Sequence, residues 1–244
     1  MDSKLKLEIV TPVYNEEKHI EDTIIGFFDE FETSNVSISF LISEDGSTDN
    51  SVKIINKLAK NYPIKFLTSS IRKNYTDAVI LGLKNTREDI LGFVDSDGQY
   101  DPKDLKILLS KLEKGKLVVG YRYPRVDNIF RKLISNSFKY LYSKLTGINL
   151  QDPSCGYFVG YKSDIKRILN TDNLGLLKEG FWWEFYARAK YLGIDIEELP
   201  IKHFHRNYGN TVVFKLHRIP KIGISNIIGL IRLSNILNKL DKHD

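Results

Sequence analysis

Asp95, Asp97 and Gln99 stand at alternate positions in the stretch GFVDSDGQYDP, residues 92–102, directly after an apolar run. In extended backbone alternate side chains point the same way, so three oxygen-bearing groups at this spacing converge. Two of them are carboxylates, which repel, and a hard divalent ion such as Mg2+ or Mn2+ removes that repulsion. Mg2+ usually completes its shell with water and substrate phosphates, so the expected ligand is a metal-bridged diphosphate. An isolated Asp-x-Asp also serves as a turn or helix cap; what surrounds it decides.

Two more polar clusters resemble the first in placement: TPVYNEE (residues 11–17) and SEDGSTDNS (residues 43–51) each follow an apolar, β-branched run. Such runs alternate with segments of helical period, the pattern of an α/β domain with a mostly parallel central sheet flanked by helices. Strands are predicted at Leu5–Val13, Val36–Ser43, Lys65–Thr68, Ile90–Val94 and Lys116–Gly120. Helices are predicted at Glu16–Phe31, Thr48–Asn61, Asn74–Asn85 and from Pro102 to about Glu113, with Pro102 at a favoured first helical position. The alternation then weakens: Asp127–Leu145 reads as a helix, Gly156–Tyr161 as a strand, Gly180–Tyr191 as a helix and Ile194–Phe204 as one or two strands. Ile222–Leu240 is an amphipathic helix. In open α/β sheets ligands bind beyond the carboxyl ends of the strands, where all three polar clusters fall.

The 244 residues carry a net charge of +5, with 42% hydrophobic and 27% charged residues, values that exclude wholesale disorder. From Lys202 onward the cations Lys202, Arg206, Lys215, Arg218, Lys221, Arg232, Lys239 and Lys242 face only Asp241 and Asp244, which suits a nucleic acid, a membrane surface or a phosphorylated substrate. A nucleic-acid partner leaves the acidic cluster at the strand tip unexplained. Cys155 is the single cysteine, which excludes an internal disulfide and a multi-cysteine metal site. The start, MDSKLKLEIV, lacks the apolar core of a signal peptide, and no apolar run is long enough to span a membrane. The expected location is the cytoplasm, peripheral to the cytoplasmic face of a membrane.

TPVYNEEKHI, SEDGSTDNS, VDSDGQYDP, VVGYR and RNYGNT occur in this order between about Leu5 and Thr211. With them the chain resembles glycosyltransferase family 2, which has the GT-A nucleotide-diphospho-sugar transferase fold. The branch it is most similar to is the dolichyl-phosphate mannose synthase type, which transfers a hexose from a nucleotide sugar to a polyprenyl phosphate. The resemblance implies that Pro12, Tyr14, Asn15, Glu16 and Asp45 hold the nucleoside, and that Asp95, Asp97 and Gln99 hold the metal and diphosphate, with Ser96 on the donor side. It further implies that Arg122, Arg131, Ser135 and Arg206 contact the phosphates of acceptor and donor. Arg131 and Ser135 lie one helical turn apart, and a guanidinium binds phosphate through two parallel hydrogen bonds. The implied organisation is a GT-A domain over 1–212 and a basic amphipathic helical segment over 213–244, which lies on a membrane or packs on protein.

The implied reaction is an inverting, metal-dependent hexose transfer from a nucleotide sugar, GDP-mannose favoured, to dolichyl or polyprenyl phosphate. A phosphate monoester carries about 1.5 to 2 negative charges at neutral pH, so its oxygen attacks the anomeric carbon without a general base. An acceptor hydroxyl on a saccharide or protein would need a base, and Glu184, set among Phe181, Trp182 and Trp183, is the candidate. Two departures mark this sequence. RKNYTDA (residues 72–78) lacks the glycine and lysine that relatives commonly carry after the positions of Arg72 and Asn74, so Lys73 or Arg72 would replace that lysine; and Thr211 precedes Val212 where relatives have lysine.

Overall fold

The apolar run of the first strand is buried without a break from Leu7 to Val13, as required of a strand covered on both faces. The computed structural model describes residues 4–124, 129–204 and 219–240. Its strands are β1 (Leu5–Val13), β2 (Val36–Glu44), β3 (Ile64–Leu67), β4 (Ile90–Phe93), β5 (Lys116–Arg122), β6 (Phe158–Tyr161) and β7 (Asp195–Ile201). They form one sheet in the order β3-β2-β1-β4-β6-β5-β7. β1 pairs in parallel with β2 from Leu5↔Val36 to Val13↔Glu44 and with β4 from Leu7↔Ile90 to Val10↔Phe93. β6 alone runs the other way, antiparallel to both β4 and β5. The carboxyl ends of the six remaining strands therefore share one edge.

The helices are α1 (Ile20–Phe31), α2 (Ser51–Leu58), α3 (Tyr75–Lys84), α4 (Pro102–Leu109), α5 (Ile129–Thr146), α6 (Lys162–Leu169), α7 (Phe181–Tyr191) and α8 (Ile219–Leu240). Ile24, Phe27 and Phe31 of α1, Ile55 and Leu58 of α2, and Leu105 and Leu108 of α4 fill one face of the sheet. Val79 and Leu83 of α3, Ile165 and Ile168 of α6, and Phe181 and Phe185 of α7 fill the other. The expected mostly parallel α/β architecture is the one observed.

Its boundaries shift for identifiable reasons. α1 begins at Ile20 rather than Glu16 because the N–H groups of Glu16 and Glu17 bond to Ser51 Oγ (2.9 Å) and Asp49 Oδ2 (3.1 Å) in the loop after β2. The same exchange delays α2 from Thr48 to Ser51, since Thr48 N donates to Asn15 Oδ1 at 2.8 Å. α4 ends at Leu109, where Lys111 N and Leu112 N turn to the carbonyls three residues back. α6 is an additional helix that starts immediately after β6 with no side-chain cap at Tyr161; neither a glycine nor a proline punctuates that junction.

α8 presents two apolar faces. Leu230, Leu233 and Leu237 are buried with Tyr142, Leu177, Trp183 and Ala187, and Ser234 Oγ donates to Leu145 O at 2.6 Å. Burying each leucine contributes roughly 1.5–3 kcal/mol before ordering costs are subtracted, enough to hold the helix on the domain. The opposite face leaves Ile224, Ile227, Ile228 and Ile231 between 39% and 61% exposed. No helix among the described residues is long and apolar enough to cross a membrane.

Candidate active site

The loops after β1 and β2 lock together at the carboxyl edge through their own motif residues. Asn15, in the left-handed conformation at φ 55°, which asparagine tolerates, accepts from Thr48 N and donates Nδ2 to Thr48 Oγ1 at 3.2 Å. Glu17 Oε2 accepts from Asn50 N at 3.0 Å and from Asn50 Nδ2 at 2.8 Å. Asn15 and the backbone of Glu16 thus tie loop to loop. Pro12 is buried in β1, and its carbonyl accepts from Ser96 Oγ at 2.8 Å, which fastens the turn after β4 to the end of β1. The proton of the Ser96 hydroxyl is committed to this contact.

Asp45 caps the end of β2. Its N–H donates to Val13 O at 2.9 Å and its Oδ1 accepts from Lys73 N at 2.8 Å. Burial pushes its pKa above the ordinary carboxylate value, against the backbone bond from Lys73 and the charge of Arg72. Arg72 lays its guanidinium over the Tyr14 ring, 3.8 Å from the centroid. Tyr14, Asp45, Arg72 and Lys73 therefore form one cluster, and the departing stretch RKNYTDA supplies two of its members.

The turn after β4 brings Asp95, Asp97 and Gln99 to the same edge, with Gly98 at φ +72°, a backbone state that favours glycine. Asp97 Oδ1 accepts from Gln99 N at 3.2 Å. Gln99 Nε2 donates to Phe204 O at 2.8 Å, and Phe204 N returns a bond to Gln99 O at 2.9 Å, so the segment after β7 braces the turn. Asp95 Oδ1 accepts from Tyr75 Oη at 2.7 Å, and Trp182 Nε1 donates to that same Oη at 2.9 Å. Burial, and then the charge of Asp97, push the Asp95 pKa up to about 7. The Tyr75 hydroxyl is driven well above its usual range by burial and by Asp95.

Among the described residues no group of three His, Cys, Asp or Glu side chains is arranged to hold a metal ion. The two carboxylates nonetheless fit a divalent cation: desolvation, and then the charge of Asp97, leave Asp95 partly protonated near neutrality, and a cation would offset both. With the Gln99 side-chain oxygen the two carboxylates would make three oxygen donors, and the rest of a cation's shell would come from outside the protein.

Arg122, which the resemblance associates with the phosphates, sits at the end of β5 with much of its guanidinium engaged within the protein. Its Nε and Nη2 donate to Asp152 Oδ2 and Oδ1 at 2.6 and 2.9 Å, and Nη2 also reaches Ser154 Oγ at 2.6 Å. Glu198 accepts from the backbone N–H groups of Gln151 and Asp152 and so holds that loop in place. The bidentate edge of Arg122 is used within the protein. Ser135 lies in α5, as does the backbone of Arg131; the side chain of Arg131, and Arg206 and Thr211 altogether, lie outside the described residues.

Glu184 is a correction. Named as the base for the alternative of a hydroxyl acceptor, it is fully buried and accepts from Gly175 N (3.1 Å), Leu177 N (2.9 Å) and both Nε and Nη2 of Arg188 (2.9 and 2.7 Å). Arg188 in turn donates to Asp172 O and Asn173 O at 3.0 Å. A fully buried carboxylate that accepts from four N–H groups holds the 172–177 loop and is not exposed to an acceptor hydroxyl. Cys155, the single cysteine, is buried. Sequence reasoning missed Tyr75 and Asp152. Tyr75 lies in RKNYTDA, where departure from the family pattern was the available signal; Asp152 carried none.

A sequence model described as Glycosyl transferase family 2 matches residues 8–169. The chain is 28% identical over 169 residues to a dodecaprenyl-phosphate galacturonate synthase of Rhizobium johnstonii, covering 67% of this chain and 50% of that protein. It is 25% identical over 209 residues to an undecaprenyl-phosphate 4-deoxy-4-formamido-L-arabinose transferase of Salmonella choleraesuis, covering 84% of this chain and 62% of that one. It thus spans half to about three fifths of the length of these relatives. The glucosyl-3-phosphoglycerate synthase of Mycobacterium tuberculosis, solved with Mn2+, UDP and glucosyl-3-phosphoglycerate, superposes with a TM-score of 0.69 at 18% identity over 95% of this chain and 80% of that one. A second crystal structure of that enzyme holds Mg2+ and UDP, with a TM-score of 0.68 at 18% identity and the same coverage. At that identity the likeness establishes the GT-A fold.

Two predictions follow from this geometry. Glu184→Gln, which leaves Arg188 charged and incompletely paired in the core, should lower unfolding free energy by about 3–5 kcal/mol in denaturant titrations; a variant as stable as the parent contradicts the structural role. Mn2+ binding should tighten about tenfold from pH 6 to pH 8, because the cation needs Asp95 ionised and the metal-free group holds its proton below about 7. Titration calorimetry in buffers of different ionisation enthalpy would register the released proton, and a flat affinity would refute the assignment.

Proposed function

Because the chain belongs to glycosyl transferase family 2, matched over residues 8–169, we propose that it transfers a sugar from a nucleotide sugar to a polyprenyl phosphate with inversion at the anomeric carbon. The observation that carries this reading is the pair Asp95 and Asp97, brought to the carboxyl edge of the sheet beside the Tyr14 and Asp45 cluster. The two polyprenyl-phosphate-dependent relatives support the acceptor class. GDP-mannose heads the candidate donors through the resemblance to dolichyl-phosphate mannose synthases; the relatives' names add a uronic acid and a formamido-arabinose.

In this mechanism Tyr14, Arg72 and Asp45 bind the nucleoside end of the donor. Asp95, Asp97 and the Gln99 side-chain oxygen would hold a divalent cation, which when bound screens the diphosphate and eases its departure. Arg122, fixed by Asp152, sets a positive charge close enough to Asp95 to favour its ionised form. Arg131, Ser135 and Arg206 are the proposed acceptor-phosphate residues. The acceptor phosphate needs no base, which agrees with a Glu184 already occupied by Arg188 and two backbone N–H groups.

A polyprenyl chain lies in a membrane, and α8 supplies a surface for it. Residues 219–240 contain Lys221, Arg232 and Lys239 and no acidic residue, beside the exposed isoleucines. A basic helix with an apolar face of this kind lies in the interface of an anionic bilayer. The protein would then work as a peripheral enzyme at the cytoplasmic face.

Transfer is tested with a panel of radiolabelled nucleotide sugars and detergent-dispersed polyprenyl phosphate, with and without Mn2+ or Mg2+. Metal-dependent, acid-labile label should appear in the organic phase and fall at least about 100-fold in Asp97→Asn; label confined to acid-stable saccharide would sink the acceptor assignment. Sedimentation with anionic vesicles should capture the protein, and Ile224→Ser with Ile228→Ser should release most of it. Equal binding by that double variant would remove α8 as the docking face.

A further inference from the structure

Trp182 and Tyr75 make a two-step hydrogen-bonded chain that ends on Asp95, at 2.9 Å and 2.7 Å. An indole nitrogen only donates, so the Tyr75 oxygen accepts there and its single proton goes to the carboxylate. With Asp95 ionised, both bonds have one possible direction. Asp95 Oδ1 is engaged by this chain, while Oδ2 accepts no hydrogen bond from the described residues.

Each link is held from elsewhere. The Trp182 ring packs against Phe93 and Phe158, with centroids 4.5 and 5.5 Å away. Gly156 leaves the space: a Cβ there would lie 2.6 Å from Trp182 Nε1. Tyr75 opens α3, whose N-terminus is capped by Asn74 accepting from Asp77 N and is tied by Thr76 Oγ1 donating to Lys178 O at 2.6 Å. The loop leading to Lys178 is the one gripped by Glu184 and Arg188. The Tyr75 residue itself is 40% exposed, so packing alone gives little reason for a fixed ring; its hydroxyl is what the surroundings secure.

We propose that Tyr75 is a positioning residue for the paired-carboxylate turn, and that Trp182 acts through it, so that Asp95 is held by Oδ1 and offers Oδ2 to a cation on the donor diphosphate. This inference rests on the site reading above and adds two residues to it. Groups that orient a metal-binding carboxylate typically change metal affinity or activity by about 10–100-fold when removed.

The test is calorimetric binding of UDP and, in parallel, GDP, each with and without Mn2+, to the full chain. Tyr75→Phe, which keeps the ring and removes the hydroxyl, should weaken Mn2+-dependent binding of whichever nucleotide binds by about 10–100-fold and leave metal-free binding and the melting temperature nearly unchanged. Trp182→Phe should cause a smaller loss of the same kind. Since the indole acts through the hydroxyl, the double variant should be no weaker than Tyr75→Phe beyond about twofold. Tyr75→Phe alone decides the matter if Trp182→Phe does not fold: Mn2+-dependent binding within about twofold of the parent, or an equal loss without metal, overturns the proposal, as do additive losses in a folded double variant. Because the readout is binding, the result stands whether or not label reaches polyprenyl phosphate; a parent that binds neither nucleotide with Mn2+ overturns this inference together with the site reading.

Discussion

Two like charges at the end of a buried strand are the constraint around which the rest of this structure is arranged. Asp95 and Asp97 repel, and half-buried Asp95 is desolvated besides, so its pKa is pushed up to about 7. A fold that only needed stability would place apolar or neutral groups there, since an uncompensated buried charge is costly. Here the neighbourhood instead supplies partial compensation: the hydroxyl of Tyr75 on one oxygen and the positive field of Arg122. The remaining deficit is what a cation at the proposed site would relieve.

The surrounding polar network serves to keep that deficit in one place. Ser96 fastens the turn to β1, Gln99 fastens it to the segment after β7, and the motif residues of the first two loops fasten each other. The deeply buried pair Glu184 and Arg188 holds no substrate, yet it secures the loop on which α3 and hence Tyr75 depend. Several residues that look like ligands in a linear reading are therefore scaffold. A buried ion pair contributes little net stability compared with an apolar substitute, but it fixes a single arrangement of the chains it joins, and here what it fixes is the geometry of an acidic site.

α7 connects this chemistry to the other end of the proposed reaction. Its neighbouring tryptophans divide the work: Trp182 turns toward Asp95 through Tyr75, while Trp183 packs on Phe138 and Tyr142 of α5 beside the leucines of α8. The helix carrying the exposed isoleucines is thus seated on the same short element that orders the acidic turn. A lipid-borne acceptor and a soluble donor have to meet at one place, and this arrangement keeps the surface proposed for the membrane rigidly related to the turn proposed for the diphosphate.

Much of this was legible in the chain itself, for local reasons. Alternation of apolar runs and helical periods announced the α/β sheet, because it depends only on neighbours in sequence; the alternate spacing of Asp95, Asp97 and Gln99 was read for an extended strand, whereas β4 ends at Phe93 and the chain turns at residues 96–98. The amphipathic C-terminal helix was likewise evident, although not that it would bury one apolar face and expose another. What tertiary structure alone decided was partnership. Arg122 meets Asp152 30 residues away, and Tyr75 meets Asp95 across 20 residues and Trp182 across 107. Such pairings depend on how helices rotate and pack against the sheet, which no local pattern encodes; they turned the candidate base of the alternative reading into a strut and an unremarked tyrosine into a partner of the acidic turn.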